Sequence, residues 1–236
     1  MKKKELLPED TVIVINKFPV GEYRKFFQAA TGDDKITVGG MDFQPWLFSQ
    51  AGKTLQEALE EYLHPSGPKN MKEFLAERRF DIINGPDKAF IIAFDSAINE
   101  LGYDFGGAIG SGFAAGCALM IIYGKTGVKS RPCAARIYIR ENGITLRLYL
   151  NKIDNHRPYI ENAPTHIKDV FTGENESCTG CSFHDGKCKY KYTKAYTIDG
   201  RLINKCDAKA FVFTNPSMEK LPDYISLLSE FFPLKK

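Results

Sequence analysis

Six cysteines stand at 117, 133, 178, 181, 188 and 206, and the last four share one short polar stretch. Cys178 and Cys181 form a CxxC, a loop whose two thiolates can converge on one ion. Cys188 follows seven residues later, and Cys206 lies across a hairpin signal at Asp199-Gly200. Four thiolates from a knuckle and a hairpin suit a closed tetrahedral zinc site, where the metal supplies folding energy to a segment with little apolar core. The second half is not a CxxC, a departure from a symmetric ribbon. With His184 included, Cys178, Cys181, His184 and Cys188 reproduce the spacing of a bacterial iron-sulfur run, with histidine in third place and lysine where proline is expected. An iron-sulfur cluster is therefore the alternative cofactor, and disulfides or free thiols are the third reading. Cys117 and Cys133 fall in or beside strand-like runs, where cysteine behaves as a small buried hydrophobe.

The second constellation is a checkerboard of guanidinium and phenol. From Ala135 to Leu150 two strictly alternating arms meet at Asn142-Gly143, the preferred pair for a type I′ turn. That turn predicts Ile139 opposite Leu146, Ile137 opposite Leu148 and Ala135 opposite Leu150 on a core face. The other face then pairs Arg140 with Thr145, Tyr138 with Arg147 and Arg136 with Tyr149. If covered or opening onto a cleft, Arg136, Arg147 and also Arg140 can present forked donors to a small anionic ligand such as a carboxylate or phosphate, with Tyr138 and Tyr149 stacking beside them. His156 and Arg157 follow at the exit of the hairpin and are candidates to join. The plain alternative is a solvated sheet face, where such cross-strand pairs add tenths of a kcal/mol to about one each.

The elements that must position these groups are readable in outline. The run Thr11 to Ile15 is β-branched and reads as a buried strand, and Gly39-Gly40 opens a loop carrying the only tryptophan, Trp46. Two helical segments follow, Thr54 to Leu63 and Asn70 to Phe80. Phe90, Phe94, Ile98 and Leu101 form the stripe of an amphipathic helix over Lys88 to Leu101. Phe105 to Gly124 is uncharged for twenty residues, long enough for a membrane span. Its many glycines and the dense apolar run only from Cys117 to Tyr123 predict a glycine loop and a buried strand instead. His156 to Phe171 reads as helical with an interruption at Pro164. Arms at Tyr192 to Ile198 and Arg201 to Lys205 flank Asp199-Gly200, and a last amphipathic helix runs from Pro222 to Phe232.

With 236 residues, 43 % of them hydrophobic, the chain can bury a sizeable core. A formal charge of +3 is too slight to argue for nucleic acid or an anionic membrane. Locally, Cys178 to Lys209 holds seven Lys or Arg and three Asp among interleaved aromatics, the pattern of a nucleic-acid surface. Zinc on four thiolates would bring minus two and cut that excess by half. The start of the chain has no apolar h-region, so the expected compartment is the cytoplasm. No HExxH, GxSxG, P-loop or paired-carboxylate motif is present.

At Arg147-Leu-Tyr-Leu150, Tyr159-Ile-Glu161, the CxxC at Cys178, Cys206-Asp207 and Pro222-Asp-Tyr-Ile225, the chain resembles an uncharacterised bacterial family. The resemblance covers the last hundred residues or so and implies that the four cysteines belong together. The sequence thus predicts an α+β protein. Residues 1–172 would form an antiparallel sheet with flanking helices. Residues 173–236 would form a small zinc-ribbon-like module on Cys178, Cys181, Cys188 and Cys206, closed by the C-terminal helix. The expected function is a non-enzymatic cytoplasmic binding or regulatory protein. The alternatives are a nucleic-acid-binding protein using the basic C-terminal module and an enzyme with a dispersed active site.

Overall fold

Alternation of branched or aromatic residues with polar ones, and apolar stripes at helical spacing, build a mixed fold of helices and antiparallel strands. The computed structural model describes residues 6–14, 20–33, 37–38, 41–67, 69–112, 117–173, 193–206 and 211–233. The helices are α1 (Val20–Thr31), α2 (Phe43–Ser49), α3 (Leu55–Leu63), α4 (Met71–Leu75), α5 (Gly85–Glu100), α6 (Arg157–Glu161), α7 (Thr165–Thr172) and α8 (Leu221–Phe231). The strands are β1 (Thr37–Val38), β2 (Met41–Asp42), β3 (Tyr103–Asp104), β4 (Gly110–Ser111), β5 (Leu119–Lys125), β6 (Cys133–Arg140), β7 (Gly143–Leu148), β8 (Thr193–Ile198), β9 (Arg201–Cys206) and β10 (Val212–Thr214).

Six strands form the main sheet in the order β10, β7, β6, β5, β3, with β4 pairing β5 further along. Its core face carries Ile121, Tyr123, Ile137, Ile139, Leu146 and Leu148, all nearly inaccessible to solvent. Helix α5 lays Phe90, Ile91, Phe94 and Ile98 on that face, with the Phe94 ring 5.3 Å from Tyr123, and α8 follows through Tyr224 against Phe90 and Phe213. The start of α5 is set by Asn84, whose side chain accepts from the Asp87 N–H, and by Pro86 in the first turn. A second apolar cluster gathers Tyr23, Phe27, Phe43, Trp46 and Leu55 from the N-terminal helices with Ile13 from the segment before them.

Arg79 ties the two regions together. Its side chain is 2 % exposed, and Nη1 donates to the carbonyls of Ser49, Ala51 and Ile109 at 2.7, 3.0 and 3.3 Å, while Nε donates to Glu77 at 2.8 Å. This network also interrupts the helix expected over Asn70 to Phe80. Glu77 takes an extended conformation, ψ 140°, with its carboxylate between Lys69 and Arg79, so α4 ends early and Arg78–Phe80 is a separate 3-10 turn.

Two further expectations change. Thr11 to Val14 is not a strand: Val12 makes a single bridge to Thr54, and Ile15 lies outside the described residues. The long hairpin has a different register, Arg140 opposite Gly143, Tyr138 opposite Thr145 and Arg136 opposite Arg147. Only Gly143 takes positive φ in the turn, 122°, so Glu141-Asn142 forms the loop and Asn142-Gly143 is not a type I′ pair. The side chains keep their predicted faces because the register moves by two residues in all. At Asp199-Gly200 the expected two-residue hairpin is met, with φ of 49° and 73° and Ile198 opposite Arg201.

No zinc-ribbon-like module is seen among the described residues, and no group of three or more metal-ligating side chains occurs among them. Cys178, Cys181, His184 and Cys188 lie outside them, as does the Gly39-Gly40 loop. Beyond residue 172, β10 extends the main sheet, and Tyr196, Ile198, Phe211, Tyr224 and Leu228 belong to the same apolar cluster as the sheet and α5. Burial of these aromatic and aliphatic residues holds the described tail onto the core.

Candidate anion site on the outer sheet face

Strands β5, β6 and β7 turn Met120, Ile122, Arg136, Tyr138, Thr145 and Arg147 away from the core, and Tyr149 follows on the same side. The face is recessed rather than freely solvated: Tyr138 is 6 % exposed, and Arg136, Arg147 and Tyr149 are half-buried. The true register places Arg136 directly across from Arg147. The Tyr149 ring lies against both guanidiniums, its centroid 5.1 Å from the Arg136 Cζ and 4.5 Å from that of Arg147, while Arg140 stands 5.9 Å from the Tyr138 ring. Like charges facing across strands repel unless something compensates, and a shared aromatic face compensates only in part.

Arg136 is the informative member. Its Nε is buried without a hydrogen-bond partner, and no carboxylate is among the groups that act most on it. The titratable groups that act most on it are the phenols of Tyr149 and Tyr138 and the thiol of Cys133. Burial, then the hydrogen bond to Tyr138, pushes the Tyr149 phenol well above its ordinary range against the pull of the two arginines. The two hydroxyls are 3.5 Å apart, a long contact in which either can be the donor, and burial keeps Tyr149 neutral. Cys133 is half-buried, its thiol directed at the Ala135 carbonyl, and burial pushes it up despite the neighbouring Arg136. Cys117 is held the same way and remains a thiol.

His156 and Arg157 do not join this site. His156 Nδ1 is 2.8 Å from Glu230 of α8, and Arg157 pairs with Asp154 at 3.0 Å. Of the lysines that suggest a nucleic-acid surface, Lys194 donates to the Leu150 carbonyl and Asn151, and buried Lys205 donates to the Val170 carbonyl. Lys189 and Lys191 lie outside the described residues. Cys206 closes β9 opposite Thr193, the first residue of β8.

Beside the arginines, β5 forms the floor of a cavity of about 430 Å³. Phe48, Phe105, Met120, Ile122 and Gly124 line it, together with Arg131. The sequence does not announce this cavity, since its walls come from α2, β4 and the 105–108 loop. The only local signal is Ile122, 39 % exposed in a strand of otherwise apolar alternation. No helix among the described residues is long and apolar enough to cross a membrane. No protein-family model, curated protein or solved structure matches the chain.

Proposed function

We propose that this chain is a non-enzymatic cytoplasmic binding protein that takes a small anion at Arg136, Arg147 and Tyr149, with Tyr138 packed beside them. The carrying observation is the half-buried Arg136, its Nε enclosed without a hydrogen-bond partner and its position directly across from Arg147. The Arg136 guanidinium offers a carboxylate or phosphate forked donors, Arg147 across from it adds positive charge, and the neutral Tyr149 phenol is beside both. The carboxyl displaced most clearly, Asp95, is on α5 against the core face of the sheet, on the opposite side from the arginines, so it is not part of this site.

Calorimetric titration with benzoate tests the site. Wild-type protein should bind, and Arg136→Gln should weaken binding by roughly ten- to a hundredfold, the worth of a charge-assisted hydrogen bond. Equal affinity in the two proteins would remove the proposal.

The tail is proposed to hold one structural zinc on Cys178, Cys181, Cys188 and Cys206. The topology supports this reading: Cys206 is at the open end of the β8–β9 hairpin, where the chain from Cys188 must arrive five residues before Thr193. A span of that length reaches at most about 18 Å, so the chain length permits Cys188 to approach Cys206. Elemental analysis should find one zinc per chain, and chelation should lower Tm. Brown protein carrying iron and sulfide would contradict the assignment.

A further inference from the structure

We infer that the anion carries an apolar tail, and that the cavity over β5 receives it; the ligand class is a carboxylate on a short alkyl or aryl body. The inference rests on the anion reading of the arginines and deepens it. Ile122, which lines the cavity, is the cross-strand partner of Arg136, and Met120 is the partner of Tyr138. Neighbouring strands lie about 4.8 Å apart, so a head group at Arg136 stands within a short chain of the cavity. The cavity, about 430 Å³, falls in the size range of small-ligand sites, and its lining of Phe48, Phe105, Met120 and Ile122 is apolar.

Its own cation does not compete for the anion. Arg131 already pairs with the Asp104 carboxylate and donates to the Asp104 carbonyl at 3.0 Å. The charge complementarity therefore has a direction, with the head toward β6 and the tail over β5. A neutral apolar compound would forgo the arginines, and a bare inorganic anion would leave the cavity unused.

The test is affinity across acetate, butanoate, hexanoate and octanoate with the intact chain. Each methylene that enters the cavity should tighten binding about fourfold. Met120→Trp, which fills the cavity from a half-buried position, should flatten this gain while acetate still binds. A series that is flat in the wild type, with acetate binding still lost in Arg136→Gln, would overturn the tail assignment and leave the arginine site standing. A gain that persists in Met120→Trp would also overturn it, placing the tail elsewhere. If none of the four acids binds, both readings fall.

Discussion

Arg136 and Arg147 illustrate how far single residues can be read. Alternation along the hairpin tells which side chains share a face, and the structure keeps every one of them there. It does not tell which stand opposite, and that detail turns two expected Arg–Tyr pairs into one Arg–Arg pair with Tyr149 against both. Asp95 was unreadable for a similar reason. Its helix stripe is plain, but only packing against β5 brings Asp95 beside Tyr123. There burial raises its carboxyl to about 6 from 3.8, partly offset by the Tyr123 phenol and Asn99. Between those values the folded chain keeps a proton that the unfolded chain has released. Stability is therefore full below the unfolded value and falls as pH rises to about 6. Because the group is only partly withdrawn from water, roughly 1 kcal/mol is at stake. Asp95→Asn should remove the fall, gaining about that much at pH about 7.5 and little at pH about 4 in urea unfolding. A variant destabilised equally at both pH values would show that burial of the charge is not what matters there.

Among the elements, those bounded by their own chemistry were legible. Thr54 caps α3 with a capping box to Glu57, Pro164 separates α6 from α7, and Asp199-Gly200 turns β8 into β9. The elements that failed are those whose limits depend on distant partners. Helix α4 stops because Glu77 is held by Lys69 and Arg79, and the Thr11 run finds only a bridge at Thr54. In the long hairpin, Glu141-Asn142 supplies the loop and Gly143, at φ 122°, starts the return strand. Gly143→Ala should therefore cost roughly 1–2 kcal/mol, from backbone strain there, as measured by thermal unfolding. A cost near zero would mean that the turn can relax to take residue 143 out of positive φ.

At the scale of the molecule, the sheet, α5 and α8 make one apolar core, and α1, α2 and α3 make another beside it. Arg79 joins them through three carbonyls, two of them at the end of α2 and just after it and one before β4, and so holds the walls of the cavity in place. The cysteine spacing made a metal legible as a proposal, whereas the cavity was not legible, because it exists only once α2, β4 and β5 are assembled. The core buries one face of the sheet and leaves the other to gather positive charge beside that cavity, which is the claim on which the account turns. Its most direct measurement is the Nε–Hε resonance of Arg136 in labelled protein titrated with benzoate. The account predicts a saturable shift of Arg136 and Arg147 together, absent from Arg131. Unmoved Arg136 and Arg147 resonances at saturating benzoate would contradict it.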